Sequence, residues 1–220
     1  MTSTRTPPAT PARTRGAQRP RTGWLAITGF LLLSALPVLG GALSLGELTA
    51  GKASTAPLIP LIGHVVAMSV FCLVGAFQFS PALRIRRTWH RTAGRVLIPA
   101  GFIGALSSLW LAVFFGGPAD EFALAMVRVI FAIAMTAFLV MGVIAIRRRA
   151  FVSHGAWLTR AYAIAVSGGT QALVFALWTL AVGEVDTFGE TVLVAAAFVI
   201  NSVAAELIIV RRAHALRARQ

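Results

Sequence analysis

The sequence predicts an all-α polytopic transmembrane bundle of six helices, with the N-terminus and C-terminus both cytoplasmic. Two observations carry this. Apolar residues make up 57% of the 220-residue chain and charged residues only 12%, with a mean hydropathy of +0.80. A water-soluble domain of this size needs far more polar surface. The charges are also clustered between apolar runs, and each run is close to the roughly 20 residues that cross a hydrocarbon core as helix.

The first 22 residues are rich in Arg, Pro and Thr and read as a disordered basic cytoplasmic tail. Residues 23–211 form the six-helix transmembrane domain, and 212–220 a second basic cytoplasmic tail. The first span is Trp24–Leu45; it is longer than a signal-peptide core and no A-x-A site follows it, so it is retained. The others are Leu58–Phe79, Val96–Phe115, Phe122–Ile146, Ala156–Val182 and Phe188–Val210.

Arginines test this map. Arg5, Arg13, Arg15, Arg19 and Arg21 precede span one; Arg84, Arg86, Arg87, Arg91 and Arg95 follow span two; Arg147, Arg148 and Arg149 follow span four; Arg211, Arg212, Arg217 and Arg219 follow span six. All fall on one side of a six-span chain. The other side carries Lys52 with Glu47, Asp120, Glu121, Glu184, Asp186 and Glu190. Positive residues mark the cytoplasmic face, where anionic lipid headgroups are the partners they meet. The net charge of +13 is therefore topological and implies no nucleic acid. The lone Cys72 lies in an apolar run and excludes an internal disulfide or a CxxC metal site. No metal site is expected, and a protein partner or homo-oligomer stays open.

Polar groups inside the spans are the candidate functional residues: His64, Arg128, Arg160, Gln171 and Glu206. His64 and Arg128 each stand six residues into a span entering from the outer side, about 9 Å below its edge. They either line one outward-facing polar pocket suited to an anionic group, or pack separately, with Arg128 snorkelling and His64 bonded to a neighbouring carbonyl. Arg160 and Glu206 have similar depth near the inner side and predict an interhelical salt bridge. Arg160, Ser167, Gln171 and Trp178 share one face of span five, which should point into the bundle.

Of the four histidines, His214 lies in the tail and is solvated. His90 and His154 precede spans three and five at the cytoplasmic edge. Histidines on two helices can hold a b-type haem or exchange protons with a quinone, so these two are candidate ligands; two interfacial histidines without a ligand is the competing reading.

The stretches "GHVVAMSVFCLVGAFQFSPALRIRRTWHRTAGR" and "SHGAWLTRAYAIAVSGGTQAL" resemble an uncharacterised family of bacterial multi-pass membrane proteins known only as a domain of unknown function. Its pattern is an in-membrane His, Gln-Phe, an arginine and HRxxGR, then HRxWMxRxYA. The matches are His64, Gln78, Phe79, Arg84, His90, Arg91, Gly94 and Arg95, continuing with His154, Trp157, Arg160, Tyr162 and Ala163. Gly155 and Leu158 depart from the second motif. The resemblance spans roughly Leu58 to Leu173 and implies no established activity.

The preferred reading is an integral protein of the bacterial plasma membrane that binds a redox cofactor, a single haem b or a quinone, at His90 and His154. The alternatives are a small-solute transporter with an outer Arg128/His64 site, or a non-catalytic membrane partner or assembly protein. No nucleophile–base signature or phosphate loop accompanies these residues, so no catalytic residue is assigned.

Overall fold

The computed structural model describes residues 22–50, 57–80, 82–83, 86–115 and 121–218. The N-terminal basic tail and Arg84 lie outside the described residues. Within them the chain forms seven helices: α1 (Thr22–Thr49), α2 (Leu58–Phe77), α3 (Arg87–Phe114), α4 (Phe122–Arg147), α5 (Phe151–Ala165), α6 (Ser167–Ala181) and α7 (Thr187–Arg217). Six segments are long and apolar enough to cross a membrane, because α5 and α6 run on as one span, Phe151–Ala181. Helices suit this composition because they satisfy every backbone amide within the segment, which lipid cannot do.

Three boundaries differ from the sequence expectation. The third helix begins at Arg87, not Val96, so the basic HRxxGR element is helical and the preceding connection is short. The fifth begins at Phe151, not Ala156, and the last runs through Arg217. The added turns of the third and last helices carry arginine, a good helix former whose long stem lets a helix continue past the apolar layer while the guanidinium stays in the polar zone; the added turn of the fifth, Phe-Val-Ser-His-Gly, carries none. The fifth span also carries a break at Val166, where continuous helix was expected.

Local chemistry sets the ends. Pro57 stands at the N-cap of α2, where its missing N–H is no loss. Asp186 caps α7, its Oδ1 accepting from Gly189 N at 2.8 Å. Between α4 and α5 the chain reverses within three residues; Arg149 adopts φ 58° and Ala150 N–H donates to the Ala145 carbonyl at 2.9 Å.

The helices close around α5. It packs against α2, α4, α6 and α7, while α1 bridges α2 and α6, and α3 bridges α2 and α4. Residues from Ala161 to Ser167 are buried without interruption, as expected of a helix covered by protein on every side. Tyr162 anchors this centre. Its hydroxyl donates to the Cys72 carbonyl at 2.8 Å, and its ring lies 4.9 Å from Phe79 and 5.2 Å from Phe30. Phe71, Cys72, Leu97, Met135 and Leu139 fill the same core. Large apolar residues on the other faces, among them Leu32, Ile59, Ile133, Leu180 and Phe188, are exposed and suit contact with lipid tails.

One crossing depends on paired backbone features. Pro37, inside α1, has no N–H to offer the carbonyl four residues back, Leu33. At that carbonyl α6 approaches through Gly169, whose missing side chain makes room for it.

Candidate functional site

A cavity of about 360 Å³ lies inside the bundle. His64 from α2, Arg128 from α4 and Gln171 from α6 all line it, with Ser69, Ser108 and Phe198. The two groups matched by depth in the sequence thus share one space, which is mostly apolar with a few convergent polar side chains, the usual character of a ligand site.

His64 is fixed by its ring. Nδ1 lies 3.0 Å from the Gly104 carbonyl on α3. A carbonyl only accepts, so Nδ1 carries the proton and the neutral ring keeps Nε2 as its remaining polar atom. Gly104 also admits Met68: a Cβ at position 104 would fall 2.5 Å from Met68 Sδ. One glycine therefore receives two side chains of α2 that stand a turn apart.

Arg128 is not a lone cation. Its Nη2 donates to Glu190 Oε1 on α7 at 3.4 Å, a partner the sequence reading missed. The two side chains are 41% and 39% exposed, so the pair sits at the open edge and is weakly held. The sequence reading has Glu190 among the outer-side acids, two residues into the last span; that place, the first turn of α7, is the signal that pairs it with Arg128.

The break in the fifth span forms part of the cavity wall, through Ile164, Ala165, Gly168 and Gln171. Asn201 of α7 clasps it. Its Nδ2 donates to the Ala163 carbonyl at 3.3 Å and Ser167 Oγ at 3.1 Å, and its Oδ1 accepts from Thr170 Oγ1 at 3.0 Å. The face expected to point inward is thus divided. Ser167 is buried, donating to the Ala163 carbonyl, and Gln171 meets the cavity, but Trp178 is exposed beyond the break.

Arg160 and Glu206 meet as expected, away from the cavity. The guanidinium grips the carboxylate with Nε on Oε1 and Nη2 on Oε2, the latter at 2.8 Å. Its Cζ also lies 4.6 Å from the Trp157 ring centroid. His154 Nδ1 donates to the Gly142 carbonyl of α4 at 2.9 Å. His90 stands in the first turn of α3, and both histidine-bearing helices pack against α4. Among the described residues no three His, Cys, Asp or Glu side chains converge on a metal position.

The remaining motif residues are spread around this end of the bundle. Gln78 follows α2 in a turn, its N–H on the Gly75 carbonyl at 2.9 Å. Phe79 packs on Tyr162 and lies beneath Arg212, whose Cζ is 5.7 Å from the ring centroid. Trp157 lies 5.7 Å from Phe138. Arg91 and Arg95 are exposed on the first turns of α3, and His214 is exposed near the end of α7.

Met68 and Met135 line the cavity with Cys72, and the sequence reading had not singled out either methionine. The visible signal was the four-residue spacing of His64, Met68 and Cys72, which places them along one stripe of α2.

Comparison with curated proteins finds no match, and comparison with solved structures finds none. A family model matches residues 61–209, from the start of α2 almost to the end of α7, and the chain belongs to that family, described as Predicted membrane protein (DUF2306).

Proposed function

We propose that this multi-pass protein of the bacterial plasma membrane, with both termini cytoplasmic, is a carrier of a small anionic solute bound in the bundle cavity. The observation that carries the reading is the convergence of His64, Arg128 and Gln171, from three helices, on one mostly apolar space. Arg128 and Gln171 supply donors, and His64 supplies a third when Nε2 is protonated. The Arg128–Glu190 pair supports exchange, because an entering anion can replace the carboxylate on the guanidinium. Broken spans border substrate sites in many carriers, which gives the cavity-side break at Val166 its place in the reading.

The test is thermal stability of the detergent-purified protein against a panel of small carboxylates and phosphates. A stabilising anion is expected, with the shift lost in Arg128→Ala. No stabilising anion, or a shift unchanged in that variant, rejects the site.

A second reading, a single haem b or a quinone at His90 and His154, has one observation in its favour. The Nδ1–H of His154 is held by a backbone carbonyl, as ligating histidines are usually oriented, leaving Nε2 for a ligand.

A further inference from the structure

The inner part of the cavity has a chemistry that an anion does not use. His64, Met68 and Cys72 stand on α2 at four-residue intervals, about 6 Å apart along the axis, and all three line the cavity. Met135 of α4 lines it as well. Leu58 and Phe122 open α2 and α4 at the same end of the bundle. From there Cys72 lies fourteen residues in and Met135 thirteen, about 21 Å and 20 Å deep. These two sulfurs therefore share a level, and both belong to the buried core. Met68 stands a turn above them, seated against Gly104, and His64 another turn above, its ring on the Gly104 carbonyl.

We infer that this floor binds one soft monovalent metal ion, Cu(I), through Met68 Sδ, Met135 Sδ and Cys72 Sγ, with His64 as the entry ligand. Thioether and thiolate donors select Cu(I) over harder ions, and among the described residues no three His, Cys, Asp or Glu side chains converge to hold a divalent ion. The charge balances. As the S–Cu bond forms, the Cys72 S–H bond breaks and its proton leaves to solvent by way of the cavity. The thiolate and Cu⁺ leave the buried site with no net charge, so desolvation does not oppose occupancy as it would for a lone ion. No change of oxidation state is involved. The inference shares with the proposed function His64 and the premise that the cavity admits ligands; it uses neither Arg128 nor Gln171.

The test is anaerobic transfer of Cu(I) from the chromophoric chelator bathocuproine disulfonate to the purified full-length protein. One equivalent is expected to move. Met68→Leu/Met135→Leu conserves volume and should fold normally. It is expected to bind at least about tenfold more weakly, the loss that removing even an outer-shell partner brings. Cys72→Ser should weaken binding similarly. Ag(I) should compete stoichiometrically and Zn(II) should not. No transfer, wild-type affinity in the double methionine variant, or equal competition by Zn(II) each overturns the assignment. The copper titration contains no organic anion and the anion titration no copper. Failure of this site beside an Arg128-dependent anion shift leaves the carrier reading standing, and the reverse result leaves the metal site.

Discussion

The carbonyl of Leu33 on α1 occupies the space that a side chain on Gly169 of α6 would need. That oxygen is left without a helix donor by Pro37, so one proline and one glycine, far apart in sequence, together define a helix crossing. Gly169→Ala puts a methyl group against backbone, which cannot swing aside as a side chain can. It is expected to destabilise by about 1–3 kcal/mol, the usual range for overpacking. Thermal unfolding in detergent measures this. Gly94→Ala is the control, since a Cβ there meets nothing within 4 Å.

Arg160 and Glu206 should be coupled. A double-mutant cycle with Arg160→Gln and Glu206→Gln is expected to give an interaction of about 1 kcal/mol, typical of interhelical polar contacts in membranes. Additive effects would show that the paired geometry contributes nothing beyond the separate side chains.

Arg149 holds a positive φ that glycine adopts at no steric cost. Arg149→Gly should therefore raise stability by about 1 kcal/mol, read from the melting temperature. The loop keeps Arg147 and Arg148, so insertion topology is expected to be unchanged.

Tyr162→Phe removes the hydrogen bond to the Cys72 carbonyl but leaves the ring packing. A loss of about 1 kcal/mol is expected, against about 3–5 kcal/mol for Tyr162→Ala, which also empties the space beside Phe30 and Phe79. Similar losses in both variants would show that the hydroxyl, not the ring, dominates.

The haem reading makes an optical prediction. If His90 and His154 hold a haem, protein expressed with haem supplied shows a Soret band that shifts on dithionite reduction, and His154→Ala abolishes it. A colourless protein, or a band retained in that variant, removes the assignment.

Much of this was legible in one dimension. Alternating arginine clusters and apolar runs set the number of spans, because insertion energetics act on composition over whole segments. Depth counting paired Arg160 with Glu206 and placed His64 level with Arg128, because the rise of a helix is constant. What escaped were features that depend on azimuth and partners. The Glu190 contact of Arg128 needs the start of α7 to lie beside α4. The break at Val166 is held by Asn201 from another helix. Met68 and Met135 read as ordinary apolar residues until the fold turned both toward one space. The arginines of α3 were placed in a loop because hydropathy reports where lipid ends, and a helix can continue beyond that point.

The uninterrupted burial from Ala161 to Ser167 bears on how the protein is made. The span containing it is the least hydrophobic of the six and so the poorest at entering lipid alone. It is also the one that lipid scarcely touches near its middle. When it leaves the ribosome, α1 to α4 have already been synthesised, and α2 and α4 supply two of the surfaces it finally meets. Chain order thus doubles as assembly order: the early helices act as solvent for the central one, and α7 then closes over it, bringing Asn201 to the break.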